Sequence, residues 1–144
     1  MILPDEAATI ALGARLAGLV RRGDVIALSG SLGVGKTALA RGLLGGLGHE
    51  GEVPSPSFAI VQPYEELDPP VWHVDLYRIE DTSEIEELGL DAAGEGVLVV
   101  EWPEHAATNE WPDALRLTLA FGQDGDRCLT AQVPPAWEGR WPPQ

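Results

Sequence analysis

Lysine is almost missing from this 144-residue chain: one of its nine basic residues is Lys36 and the other eight are arginines. Bases are scarce altogether, 9 against 23 acids, for a formal net charge of −14. Such a surface repels phosphate backbones, so broad direct contact with nucleic acid is not expected. The acid excess serves solubility or offers a docking face to a basic partner. Cysteine occurs once, at Cys128, which leaves no internal disulfide and no multi-cysteine metal site. It reads as a small packed residue near the end of a sheet. No apolar run is long enough for a transmembrane helix. The first ten residues, MILPDEAATI, are acidic where a secretory signal is basic and then apolar. Internal repeats are missing too. These absences point to one cytoplasmic domain over 1–133, with 44% hydrophobic residues to build a core. A Pro- and Trp-rich tail, 134–144, is expected to be poorly ordered.

What is present has a clear order. Asp5 is placed to cap a helix running to about Arg21, with Leu12, Leu16, Leu19 and Val20 on one face. Asp24–Leu28 (DVIAL) is a short apolar run, read as a buried strand. A glycine-rich stretch follows, then a second helix from near Lys36, with Leu39, Leu43, Leu44 and Leu47 on one side and Gly48 at its end. Phe58–Tyr64 reads as a strand in which Pro63 marks an edge. Val71–Tyr77 alternates, with Val71, His73, Asp75 and Tyr77 on one face. Ser83 and Glu86 form a capping-box pair for a short helix closed by Gly89. Val97–Glu101 is a buried strand ending in an acid, and Leu115–Phe121 with Cys128–Val133 forms a terminal hairpin around the turn at 122–126. The order predicts an α/β domain around a central mixed sheet flanked by helices, parallel near its first strand.

The glycine-rich stretch Gly30-Ser-Leu-Gly33-Val-Gly35-Lys36-Thr37 meets G-x-x-x-x-G-K-[ST] at every fixed position. Glycines let successive backbone N–H groups curl around an anion, and the following helix turns its positive end to the same anion. Lys36 is expected to reach the β- and γ-phosphates of ATP, and Thr37 to offer its hydroxyl to Mg²⁺. An apolar strand before the loop and an amphipathic helix after it supply the context the pattern requires.

Magnesium in such a site needs a second anchor, an acid at the end of a neighbouring strand. Glu101 ends the run Val97–Val100, and Asp75 sits inside a strand, where a charge is costly unless paired or metal-bound. His73 shares the Asp75 face, as a satisfied structural histidine or a catalytic one. Arg78 pairs with acids or meets a phosphate. Trp102 packs or serves as a nucleotide platform.

Taken together, Gly30–Thr37, Ser55-Pro-Ser-Phe58, His73-Val-Asp75-Leu-Tyr77-Arg78 and Val100-Glu101-Trp102-Pro103 resemble the TsaE family. These are small bacterial P-loop ATPases needed to make threonylcarbamoyladenosine in tRNA. The similarity runs from about Pro4 to Pro103 and is weaker in the terminal hairpin. It implies that Thr9, Gly33, Val34, Gly35, Lys36, Thr37, Ala38, Trp102 and Arg127 bind the nucleotide. It implies that Thr37 and Glu101 hold Mg²⁺, with Lys36, Asp75 and Glu101 as the catalytic set. The loop Ser55–Phe58 would be a switch facing the phosphates. The chain departs from the family pattern at Ser31, in place of an acid, at Val34, in place of Ala, and at Ser57, in place of Thr. The resemblance further implies a protein that acts on a TsaB–TsaD complex and meets tRNA only indirectly. In that complex TsaD transfers the threonylcarbamoyl group.

Other readings of the loop remain. A small-molecule kinase needs an arginine-rich lid, and between Lys36 and His73 the only basic residues are Arg41 and His49. A GTPase commonly selects guanine with Asn/Thr-Lys-x-Asp, and the only lysine is already in the loop. A nucleotide-sensing interaction module would bind ATP without turnover.

Overall fold

A computed structural model describes residues 1–54, 60–106 and 110–143, with only the backbone course at 91–93. In chain order its elements are β1 (Ile2–Leu3), α1 (Glu6–Leu16), β2 (Val25–Ser29), α2 (Lys36–Gly46), β3 (Val61–Tyr64), β4 (Val71–Asp75), α3 (Ser83–Glu86), β5 (Val97–Glu101), β6 (Leu115–Phe121) and β7 (Arg127–Gln132). Short 3₁₀ turns lie at Leu90–Glu95, Pro103–His105 and Pro135–Trp137.

The seven strands form one mixed sheet in the order β1-β7-β6-β2-β5-β4-β3. β2 is parallel to both β5 and β6, β4 is parallel to β5, and the two flanks are antiparallel. The α/β architecture expected from the sequence is the one observed. Pro63 lies on β3, an edge strand, where a missing N–H costs no ladder bond to a further strand.

Alternation along the strands splits the core in two. Ile26, Leu28, Val71, Val97, Val99, Leu115 and Leu117 face α1 and α2, meeting Leu12, Leu16, Leu39 and Leu43. Val74, Leu98 and Val100 face the other way, with Leu76, Ile79 and Ile85. The two helices cross almost backbone to backbone. A Cβ at Gly42 would lie 2.0 Å from the Ile10 carbonyl oxygen, and one at Gly13 would lie 2.2 Å from that of Leu39. Only glycine fits there, and the close crossing fixes where α2, and so the loop before it, meets the sheet.

Several boundaries differ from the expected ones for local reasons. α1 is capped by Asp5, whose Oδ1 accepts from the Ala8 N–H at 2.8 Å, but it ends at Leu16 and not near Arg21. The Leu16 carbonyl takes the N–H groups of both Leu19 and Val20, which closes the chain into a turn around Gly18, a poor helix former. β4 ends at Asp75 and not at Tyr77, because the Asp75 carboxylate accepts the Tyr77 N–H at 2.8 Å and turns the chain. The Ser83–Glu86 capping box does not form. Asp81 Oδ1 takes the Ser83 N–H at 3.0 Å instead, so Ser83 starts α3 rather than capping it. The strand expected from Phe58 begins at Val61, and Phe58 lies outside the described residues.

The tail is the largest difference. Trp137 is fully buried in the main core, beneath the Arg140 guanidinium 4.0 Å from its ring centroid. Arg140 forms two bonds with the Asp24 carboxylate, at 2.7 and 3.0 Å, and one with the Leu19 carbonyl. A single large apolar side chain and one ion pair order a segment whose prolines suggested a loose end. No helix among the described residues is long and apolar enough to cross a membrane.

Candidate functional site

β2 lies inside the sheet, and its C-terminal end delivers the chain into the loop Gly30–Gly35 ahead of α2. The loop is shaped by left-handed backbone at Gly30, Gly33 and Gly35, with φ of 144°, 76° and 119°. A Cβ at Gly30 would meet the Leu119 carbonyl oxygen at 2.5 Å, whereas one at Gly33 would project into open space. Gly35 precedes α2 without a side-chain cap, and the first turn of α2 carries no acid. The opening N–H groups of the helix are therefore left for an anion.

The loop borders a cleft of about 460 Å³ lined by Gly33, Gly35, Lys36, Thr37, Ala38, Asp75, Glu101 and Trp102, with Glu6, Leu32, Arg41, Tyr77 and Arg78. Three of the expected nucleotide residues stand behind the loop. Val34 is fully buried, and Arg127 Nε donates to its carbonyl at 2.9 Å. Thr9 packs its methyl near Gly35 and turns its hydroxyl back to the Asp5 carbonyl at 3.4 Å. The expected switch Ser55–Phe58 lies outside the described residues.

Sequence reasoning did not single out Glu6, Leu32, Arg41 or Tyr77 for the cleft. Glu6 and Arg41 come together across α1 and α2 at 3.4 Å, through a helix crossing that no local pattern encodes. Leu32 was readable, as a non-glycine position within the loop pattern.

The acids converge through strand register. Asp75 stands opposite Glu101 in the parallel β4–β5 pair, and both are buried. Thr37 Oγ1 lies 3.2 and 3.1 Å from the two Glu101 oxygens. A hydroxyl beside a carboxylate is the hard oxygen pair that a small divalent cation takes, with room in the cleft for further ligands. Lys36 donates to the Gly30 carbonyl and sits 3.4 Å from the centroid of the Trp102 ring. Burial pushes its ammonium below the ordinary 10.5, against Glu101, Glu104 and Asp75, which raise it. Trp102 holds a left-handed backbone at φ 59° and packs against Tyr77 and His105 at 5.0 and 5.8 Å between ring centroids. Such a conformation at a bulky residue beside a cleft is held by its surroundings.

Burial also raises the Asp75 carboxyl above its ordinary 3.8, and Glu101 adds to this. The Tyr77 N–H, His73 and Lys36 act in the opposite direction. The folded chain therefore holds a proton at Asp75 over a pH range in which the unfolded chain has lost it, and stability falls as pH rises through that range. Asp75→Asn keeps an oxygen for the Tyr77 N–H and removes the buried charge. It is expected to raise Tm by a few degrees near pH 7, with the gain shrinking as pH approaches 3.8. Thermal melts across pH check this, and an advantage independent of pH would contradict it.

The comparisons agree with this picture. The family model for threonylcarbamoyl adenosine biosynthesis protein TsaE matches residues 3–129. A Streptomyces coelicolor protein named tRNA threonylcarbamoyladenosine biosynthesis protein TsaE is 44% identical over 136 residues, covering 90% of this chain and 91% of that one. A Bacillus subtilis protein of the same name is 38% identical over 130 residues, covering 88% and 79%. The crystal structure of Bacillus subtilis YdiB superposes with a TM-score of 0.78 at 29% identity, over 96% of this chain and 88% of that one. The fold is thus that of a P-loop NTPase, and the chain belongs to the TsaE family, which serves the biosynthesis of threonylcarbamoyladenosine in tRNA.

Proposed function

We propose that the chain is a magnesium-dependent ATPase that supports threonylcarbamoylation of tRNA by acting on a TsaB–TsaD complex. The observation that carries this reading is the Thr37 hydroxyl seated 3.1–3.2 Å from the Glu101 carboxylate, directly beyond an uncapped glycine loop.

In this reading the N–H groups of Gly33, Gly35, Lys36 and Thr37 bind the β- and γ-phosphates, and Lys36 leaves the Trp102 ring to reach them. Thr37 and Glu101 supply two protein oxygens to the metal site. What magnesium contributes when bound is neutralisation of the charge that develops on the phosphate oxygens. Asp75, beside Glu101, is positioned to orient the attacking water. It is an indifferent base for that task, and phosphoryl transfer asks more for positioning than for proton abstraction. Turnover by the isolated chain is therefore expected to be slow.

The net charge of −14 supports docking on a protein surface rather than on tRNA. The test is a reconstituted reaction with TsaB–TsaD, threonylcarbamoyl donor and tRNA, counting modified tRNA per complex. The proposal expects many turnovers only when both this chain and ATP are present. Equal turnover without the chain, or with a non-hydrolysable ATP analogue in place of ATP, would contradict it.

A further inference from the structure

His73 is fully buried on β4, and its Nε2 lies 2.6 Å from Glu101 Oε2. The contact comes from register. His73 stands opposite Val99 in the parallel pair with β5, so Glu101, two residues on, is its diagonal neighbour on the same face. The other ring nitrogen, Nδ1, is buried and has no hydrogen-bond partner among the described residues. A proton on Nδ1 would face no acceptor among the described residues, whereas one on Nε2 is donated to the Glu101 carboxylate. An unpartnered buried polar atom is costly, and an apolar side chain could fill the same space without that cost. Filling space therefore does not explain a histidine here, whereas the Nε2 contact does.

We propose that His73 is a positioning residue that holds the Glu101 carboxylate toward Thr37, in the orientation needed to bind magnesium. The inference rests on the magnesium–nucleotide reading above. With His73 engaging Oε2 and Thr37 within reach of both oxygens, the carboxylate has little freedom to swing toward Lys36, the nearby ammonium. An Nε2–H donated to Oε2 fixes the acid and leaves Oε1, which Thr37 also reaches, for the cation. A hydrogen bond behind a metal-binding carboxylate orients it in this way.

Two amide substitutions separate the ring nitrogens. In His73→Gln the amide nitrogen lies four bonds from Cα, as Nε2 does. In His73→Asn it lies three bonds away, as Nδ1 does. ATP affinity is measured by titration calorimetry for wild type and both variants, first in EDTA and then across a magnesium series, with melts of all three. The expected result is metal-free ATP affinity within about twofold of wild type for both. The Asn variant needs about tenfold or more extra magnesium for half of the metal-dependent gain, and the Gln variant stays within about threefold. An Asn variant that responds to magnesium as wild type does would overturn the inference alone. So would a Gln variant as impaired as Asn, or loss of metal-free affinity alongside a lowered Tm, since both mark a structural ring. A wild-type chain whose ATP affinity ignores magnesium would overturn the underlying reading, and this inference with it.

Discussion

Lys36→Ala is expected to lower ATP turnover by about a hundredfold or more while leaving Tm within about 2 °C of wild type. The first half follows from position. Lys36 is the chain's only lysine, it sits at the head of α2 beside the loop, and it lines the cleft with Thr37 and Glu101. A cation aimed at developing phosphate charge in a partly dehydrated cleft is worth far more than in water. The second half follows from its pKa. Burial lowers the Lys36 ammonium below its ordinary value, so the charged form is disfavoured by folding and its removal releases a penalty. Its bond to the Gly30 carbonyl and its contact with the Trp102 ring offset part of that penalty, which keeps the net change small. Phosphate release assays and thermal melts on the same preparation check both halves. Unaltered turnover would refute the assignment of the loop. Lost turnover with an unfolded variant would remove the case for a local effect.

Trp137→Ala is expected to cost about 3–5 kcal/mol, lowering Tm by about 10–20 °C. Trp137 is fully buried in the same core that holds Leu3, Leu16 and Val20. Its removal leaves a cavity and takes away the ring over which Arg140 lies. Arg140 in turn is the partner of Asp24, the residue before β2, and both side chains are about nine-tenths buried. Loosening that pair leaves two charges desolvated with poorer compensation. The tail thus secures the start of the strand whose other end carries the glycine loop. Denaturant unfolding checks the value. A loss below about 1 kcal/mol would mean that the tail merely lies against the core.

How much of this could be read from the sequence varied with how local the cause was. β2, α2 and β5 were legible because an apolar run, a spaced glycine pattern and a leucine face each announce themselves within a dozen residues. Glu101 was legible as an acid closing a buried strand. Asp75 was legible as a charge where a strand should be apolar. The failures share a different origin. β1 is two residues long and exists because Ile2 and Leu3 pair with Cys128 and Arg127, more than a hundred residues away. The capping box at Ser83 lost to Asp81, a competition between two good caps that spacing alone does not settle. Trp137 carries no periodicity, and the prolines around it argued for a loose end. At the site, the loop and its acids could be read, but the contacts between side chains could not. Lys36 on Trp102, Glu6 with Arg41 and His73 with Glu101 all depend on register or on a helix crossing. His73 was visible as a histidine sharing a face with Asp75, but its partner was set by how β4 pairs with β5.

The loop and Glu101 are proposed to hold ATP with magnesium together. Calorimetric titration of ATP into the pure chain, with magnesium and then with EDTA, tests it most directly. One ATP per chain is expected, bound more tightly with magnesium than without. No binding at millimolar ATP, or an affinity indifferent to the metal, would contradict it.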